Sequence, residues 1–146
     1  MDIAFNKPLD YQTLHAFLQE QLPDSEFFLL YEGRNEWANV PAGQAIFQYL
    51  VDSEKLGQFK YGLSVFADHA QPLHLIERLA HALAQTFHCH ALCDASRVVL
   101  KEKNVYYSLL FEEGQVYLVD DFDFEESGEV TKIVALNYKL PPNKHS

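Results

Sequence analysis

Cysteine is scarce in this chain: Cys89 and Cys93 are the only two in 146 residues, so no disulfide framework can hold the fold together. In an extended segment the two point the same way as Ala91, and about 13 Å of strand separates them, too far to bridge. They read as buried free thiols of a reducing cytosol. Basic residues are also few, with 11 Lys plus Arg against 21 Asp plus Glu and a formal charge of −10. Such a surface repels phosphate backbones, and no cluster of Lys or Arg offsets it, so direct nucleic-acid binding is not expected. No apolar run approaches the roughly 20 residues that a membrane span needs, and the opening residues lack a basic stretch followed by an apolar one. The expected location is the cytoplasm. Glycine is sparse too, at six. No glycine-rich phosphate loop occurs, and Gly62-Leu63-Ser64-Val65-Phe66 lacks the second glycine of a nucleophile elbow, so neither nucleotide chemistry nor a serine nucleophile is indicated.

What the chain has in quantity is core-forming material. Hydrophobic residues make up 48% and aromatics 14%, enough to offset ordering entropy without metals or disulfides. The length suits one domain, residues 1–146. Pro8 opens a helix to Leu22 with Tyr11, Leu14, Leu18 and Leu22 on one stripe. A second helix, 72–88, repeats Ile76, Leu79, Ala80, Leu83 and Phe87 at helical spacing and turns His74, Arg78, His81, Gln85 and His88 to solvent. Strands are expected at Phe27–Glu32, Ala45–Val51, Phe59–Ala67 and Val130–Leu136, and Cys89–Asp94 and Arg97–Leu100 look extended. In the third of these, Phe59, Tyr61, Leu63, Val65 and Ala67 share a face. A hairpin joins Val105–Phe111 to Val116–Asp120 through Glu113-Gly114, pairing Phe111 with Val116, Leu109 with Leu118, and Tyr107 with Asp120. Leu110 and Tyr117 meet on its other face, so the hairpin is either covered on both sides or presents one apolar face beside a carboxylate rim. Leu140-Pro141-Pro142 and the residues to 146 read as a tail. The expected class is α+β, a mainly antiparallel sheet of five to seven strands packed against two amphipathic helices.

Few residues suggest chemistry. His88, Cys89, His90 and Cys93 are zinc or copper ligand types, but a strand sends the histidines and cysteines to opposite faces. His74, His81 and His88 stand roughly 10.5 Å apart per step along a helix and cannot share one ion. Asp121, Asp123 and Glu125 alternate with Phe122 and Phe124, which in an extended segment aligns three carboxylates on one edge. The calcium-loop pattern fails, with Gly128 at the eighth position and Lys132 at the twelfth. No catalytic, cofactor or metal residue is assigned, and no cofactor is expected.

Charge distribution says more than total charge. Residues 104–131 hold eight acidic groups and no Lys or Arg, which favours a basic protein partner. The expected contact residues are Glu112, Glu113, Tyr117, Asp120, Asp121, Phe122, Asp123, Phe124, Glu125 and Glu126. Here the aromatics would supply desolvated anchors and the carboxylates would speed encounter.

The run from Leu83-Ala84 and Phe87 through His90-Ala91-Leu92-Cys93-Asp94, Tyr106-Tyr107-Ser108-Leu109-Leu110-Phe111, Gly114 and Val116-Tyr117-Leu118-Val119-Asp120 resembles small bacterial immunity proteins. These partner polymorphic or contact-dependent growth inhibition toxins. The likeness covers about a quarter of the chain, and no individual residue role carries over from it. It implies a small acidic cytosolic inhibitor that neutralises a cognate toxin domain, of nuclease type among others, by stoichiometric binding. Two other readings remain: a small metal-dependent hydrolase using the Asp120–Asp123 carboxylates with nearby histidines, and an acidic adaptor that mimics nucleic-acid charge.

Overall fold

A computed structural model of the chain describes residues 1–66, 74–95, 106–112 and 114–136. Over these, one mixed sheet carries eight strands: β1 (Ile3–Phe5), β2 (Phe27–Leu30), β3 (Ala45–Val51), β4 (Tyr61–Phe66), β5 (His90–Asp94), β6 (Tyr107–Glu112), β7 (Gln115–Asp120) and β8 (Thr131–Leu136). The spatial order is β2-β3-β4-β1-β5-β6-β7-β8. Only β2 and β3 pair in parallel; every other neighbouring pair is antiparallel. The class is α+β and mainly antiparallel, but with more strands than five to seven.

The additional strand is β1, which the pattern of apolar residues does not reveal. Ile3, Ala4 and Phe5 are all buried, and they pair with Leu63 to Tyr61 on one side and Cys93 to Ala91 on the other. A three-residue strand is too short to show alternation, yet this one joins the two halves of the sheet.

Helix α1 (Tyr11–Gln21) begins not at Pro8 but at Tyr11, where the Asp10 side chain accepts the Thr13 amide at 2.7 Å, an N-cap that fixes the start. Leu14, Phe17 and Leu18 form its buried side. Helix α2 (Leu75–Phe87) buries Leu75, Leu79, Ala80, Leu83 and Ala84 and stops at His88, which takes a left-handed conformation at φ 51. The expected start of this helix at Pro72 lies outside the described residues, but His74, inside the expected span, stands before α2 as its N-cap in a left-handed conformation at φ 64. Both helices cover one sheet face, meeting through Phe17 and Phe87 at 5.4 Å. Beneath them lie Ile3, Phe5, Phe47, Leu63, Ala91, Cys93, Leu109, Phe111 and Leu118.

The opposite face has its own smaller core of Ala4, Phe59, Leu92, Leu110 and Val119, with Tyr117, Phe124 and Val130 against it. Two loops provide the cover. Residues 52–60, between β3 and β4, bring Phe59 to this face, and a single helical turn, α3 (Phe124–Ser127), brings Phe124 against it. They meet at Gly57 and Gly128, where a Cβ on either residue would strike the other loop's backbone. Phe59 therefore belongs to the loop core and does not share a strand face with Tyr61 and Leu63, because β4 begins only at Tyr61.

The hairpin pairs as its alternation requires: Phe111 with Val116, Leu110 with Tyr117, Leu109 with Leu118, Ser108 with Val119 and Tyr107 with Asp120. Leu109 and Phe111 enter the helix-side core and Leu110 the other. Its outer neighbour β8 is mostly exposed. Ala67, Arg97–Leu100, Val105, Glu113 and the tail lie outside the described residues.

Candidate functional site

Strand directions sort the chemistry-bearing residues to two ends of the sheet. At one, called here the lower end, β1 begins, β5 and β7 finish and α2 starts. The upper end is where β1, β2 and β3 finish and β4 begins.

The segment following β7 does not continue as a strand, and the alternation of Asp121 to Glu125 does not align three carboxylates on one edge. The chain turns instead into α3, and the carboxylates separate. Asp120 accepts the Phe122 amide at 2.9 Å, and Asp121 accepts the Ser108 hydroxyl. Asp123 is the residue before the helical turn, and its carbonyl accepts the Ser127 hydroxyl at 2.9 Å. Glu125 and Glu126 stand exposed in the first turn of α3. The turn also separates the two phenylalanines. Phe124 rotates inward onto Phe59, 6.0 Å between rings, with the Lys55 ammonium 3.9 Å above it. Phe122 rotates outward and is 64% exposed, edge-on to Tyr106 at 5.0 Å.

Beside this loop lies a recess of about 390 Å³ lined by Asp2, Glu77, Asp94, Asp121 and Glu125, with Lys55 and Met1 also among its lining residues. Glu77 is 2% exposed and is held by His74 at 2.8 Å, while Asp2 accepts the Val65 amide at 2.7 Å. Asp2, Lys55, Glu77 and Asp94 were not legible as site residues. They come from the residue before β1, a loop, α2 and β5, and no local pattern links them.

Glu112 and Tyr117 sit apart from these, at the upper end of the hairpin. Lys132 donates to Glu112 at 2.7 Å and lies 4.2 Å over the Tyr117 ring; His90 stands 3.6 Å from the same carboxylate. The hydrogen bond to Glu112 raises the Lys132 pKa. Glu112 is thus paired within the chain, and the ten expected contact residues do not form one patch. Asp120 to Glu126 stay together; Glu112 and Tyr117 do not join them, and Glu113 lies outside the described residues.

The mixed His and Cys group disperses. Cys89 and Cys93 are buried on the helix side, and burial pushes the Cys89 thiol up to about 11 and Cys93 higher still. His88 is exposed at the end of α2 and His90 faces Glu112. Nor is the helix face of histidines uniformly solvated: His81 packs edge-on to Phe111 at 5.6 Å, and burial lowers its pKa. Among the described residues no three His, Cys, Asp or Glu side chains converge as metal ligands would. No described helix is long and apolar enough to cross a membrane.

The upper end holds a different feature, an open groove of about 450 Å³ lined by Pro8, Leu9, Asp10, Tyr31, Glu32, Tyr49, Val51 and Tyr61. Tyr31 and Tyr49 stack at 4.8 Å and 5°, and Tyr49 and Tyr61 lie nearly parallel at 6.5 Å and 11°. Comparison with known protein families, curated proteins and solved structures finds no match.

Proposed function

We propose that this protein is an acidic binding module for a basic protein partner, acting as an immunity protein that neutralises a cognate toxin domain by stoichiometric binding in the cytoplasm. The observation that carries the reading is at the lower end of the sheet. Phe122 and Tyr106, 64% and 49% exposed, form an aromatic pair next to Asp120, Asp123, Glu125 and Glu126. An exposed aromatic pair ringed by like charge is the composition of an interface hot spot with an electrostatic rim. The adjoining carboxylate-lined recess is open to a Lys or Arg side chain of such a partner, and the chain's own Lys55 already places an ammonium there.

The compactness of this patch favours protein inhibition over nucleic-acid mimicry, which would call for carboxylates spaced like successive phosphates along a face. The hydrolase reading gains nothing from the geometry, since the Asp120 and Asp121 carboxylates are turned to two different partners, the Phe122 amide and the Ser108 hydroxyl.

The test is co-expression with a basic toxin domain encoded beside this chain, followed by size-exclusion chromatography with mass measurement and a growth-rescue assay. A 1:1 complex with growth restored is expected. Phe122→Ala should weaken it by about 30-fold or more, the effect of losing a hot-spot anchor. An inert mixture, or a complex indifferent to Phe122→Ala and to Glu125→Lys with Glu126→Lys, would remove the proposal.

A further inference from the structure

The tyrosine groove at the upper end is independent of the acidic loop, and its chemistry is distinct. Its wall is rigid. The Tyr31 hydroxyl donates to the Leu9 carbonyl at 2.6 Å and the Tyr49 hydroxyl accepts the Leu9 amide at 3.2 Å, so one residue of the β1–α1 connection locks two rings of the stack. A wall set before any ligand arrives loses little entropy on binding.

Two carboxylates, Asp10 and Glu32, line the groove, and no Lys or Arg does among the described residues. Asp10 stays ionised because the Thr13 amide stabilises its charged form and lowers its pKa. Glu32 has no ion-pair partner among the described residues. Aromatic rings beside carboxylates attract cations and repel phosphates and carboxylates. The same aromatic cluster already holds a guanidinium: Arg34 lies 4.5 Å over Tyr11, and Tyr11 is edge-on to Tyr31 at 5.8 Å. A planar guanidinium stacks on rings and forks onto carboxylates, which a compact ammonium does less well.

We infer that this groove is a recognition site for an arginine side chain presented by a peptide or protein, stacked against the tyrosine wall and paired with Asp10 and Glu32. Binding through a single side chain is weak, with Kd on the order of 1 mM.

The experiment is an NMR titration of the whole chain with a blocked Gly-Arg-Gly peptide, and with the same peptide carrying lysine or the neutral isostere citrulline. The arginine peptide should give saturable shifts at the Tyr31, Tyr49 and Tyr61 ring signals, leaving Tyr117 unmoved. Lysine should bind more weakly and citrulline should not saturate. Asp10→Asn retains an N-cap and Glu32→Gln is an exposed isosteric change, so the double variant stays folded; it should bind the arginine peptide about tenfold more weakly. Absence of saturable shifts, equal response to citrulline, or full affinity in the folded double variant would overturn the inference. None of these outcomes bears on the lower-end surface.

Discussion

His81 is the side chain whose surroundings most clearly make stability depend on pH. It lies on the helix face that periodicity assigns to solvent, but its ring rests against Phe111, with Gln85 3.4 Å away. Burial disfavours the imidazolium and lowers the pKa from its ordinary 6.5. The unfolded chain therefore takes up a proton at a pH where the folded chain does not. In the window from about 6.5 down to the lowered folded value, the unfolded state binds more protons, and stability falls as pH drops. His81→Gln removes this term. Urea midpoints measured at pH 7 and pH 5 should fall less between the two for the variant than for the unaltered chain; equal falls would show that burial of His81 is not a source of acid sensitivity. The residue could be placed on α2 from sequence, but its contact could not, because Phe111 arrives from a strand thirty positions later.

At the scale of elements, the contact between the 52–60 loop and α3 is made possible by two glycines. Gly57 and Gly128 have φ of +81 and +73, and an added Cβ would meet the Gly128 carbonyl in one case and the Leu56 carbonyl in the other. Gly128→Ala should destabilise the fold by more than the about 1–3 kcal/mol of backbone strain alone, since the loop must also shift. Gly33→Ala is the control: its φ is +82 with nothing within 4 Å, so it carries only the strain. Thermal or urea unfolding of the two variants separates the terms, and equal losses would mean that the loops can part freely. Elements with long repeats were legible, as α1, α2, β3 and the β6–β7 hairpin show, down to the register of the hairpin. Short ones were not. Ile3–Phe5 has no room for a pattern, and the acid–aromatic alternation of 121–125 imitates a strand period although a single helical turn absorbs it. Phe59 was misplaced for a related reason, since its spacing from Tyr61 suits a strand while burial against Ala4 and Leu92 holds it in a loop.

For the whole molecule, the charge of −10 was readable at once and the acidic loop with it, whereas the recess beside that loop was not, because its carboxylates are gathered only by folding. Charge and shape make separable contributions to binding under the proposed function. Long-range attraction between an acidic surface and a basic partner speeds encounter and is screened over about 10 Å at 0.1 M salt. The aromatic contact at Phe122 is short-ranged and acts after encounter, on how long the complex lasts. Stopped-flow association and dissociation measured from 0.05 to 0.5 M NaCl, as roughly spaced steps across the Debye range, should show the association rate falling by about tenfold or more while dissociation changes little. Glu125→Lys with Glu126→Lys should flatten that salt slope, and Phe122→Ala should instead raise the dissociation rate at every salt concentration. If salt acts mainly on dissociation, or if Phe122→Ala slows association alone, the division of labour between the carboxylate rim and the exposed aromatic pair is wrong, and the partner docks elsewhere on the molecule.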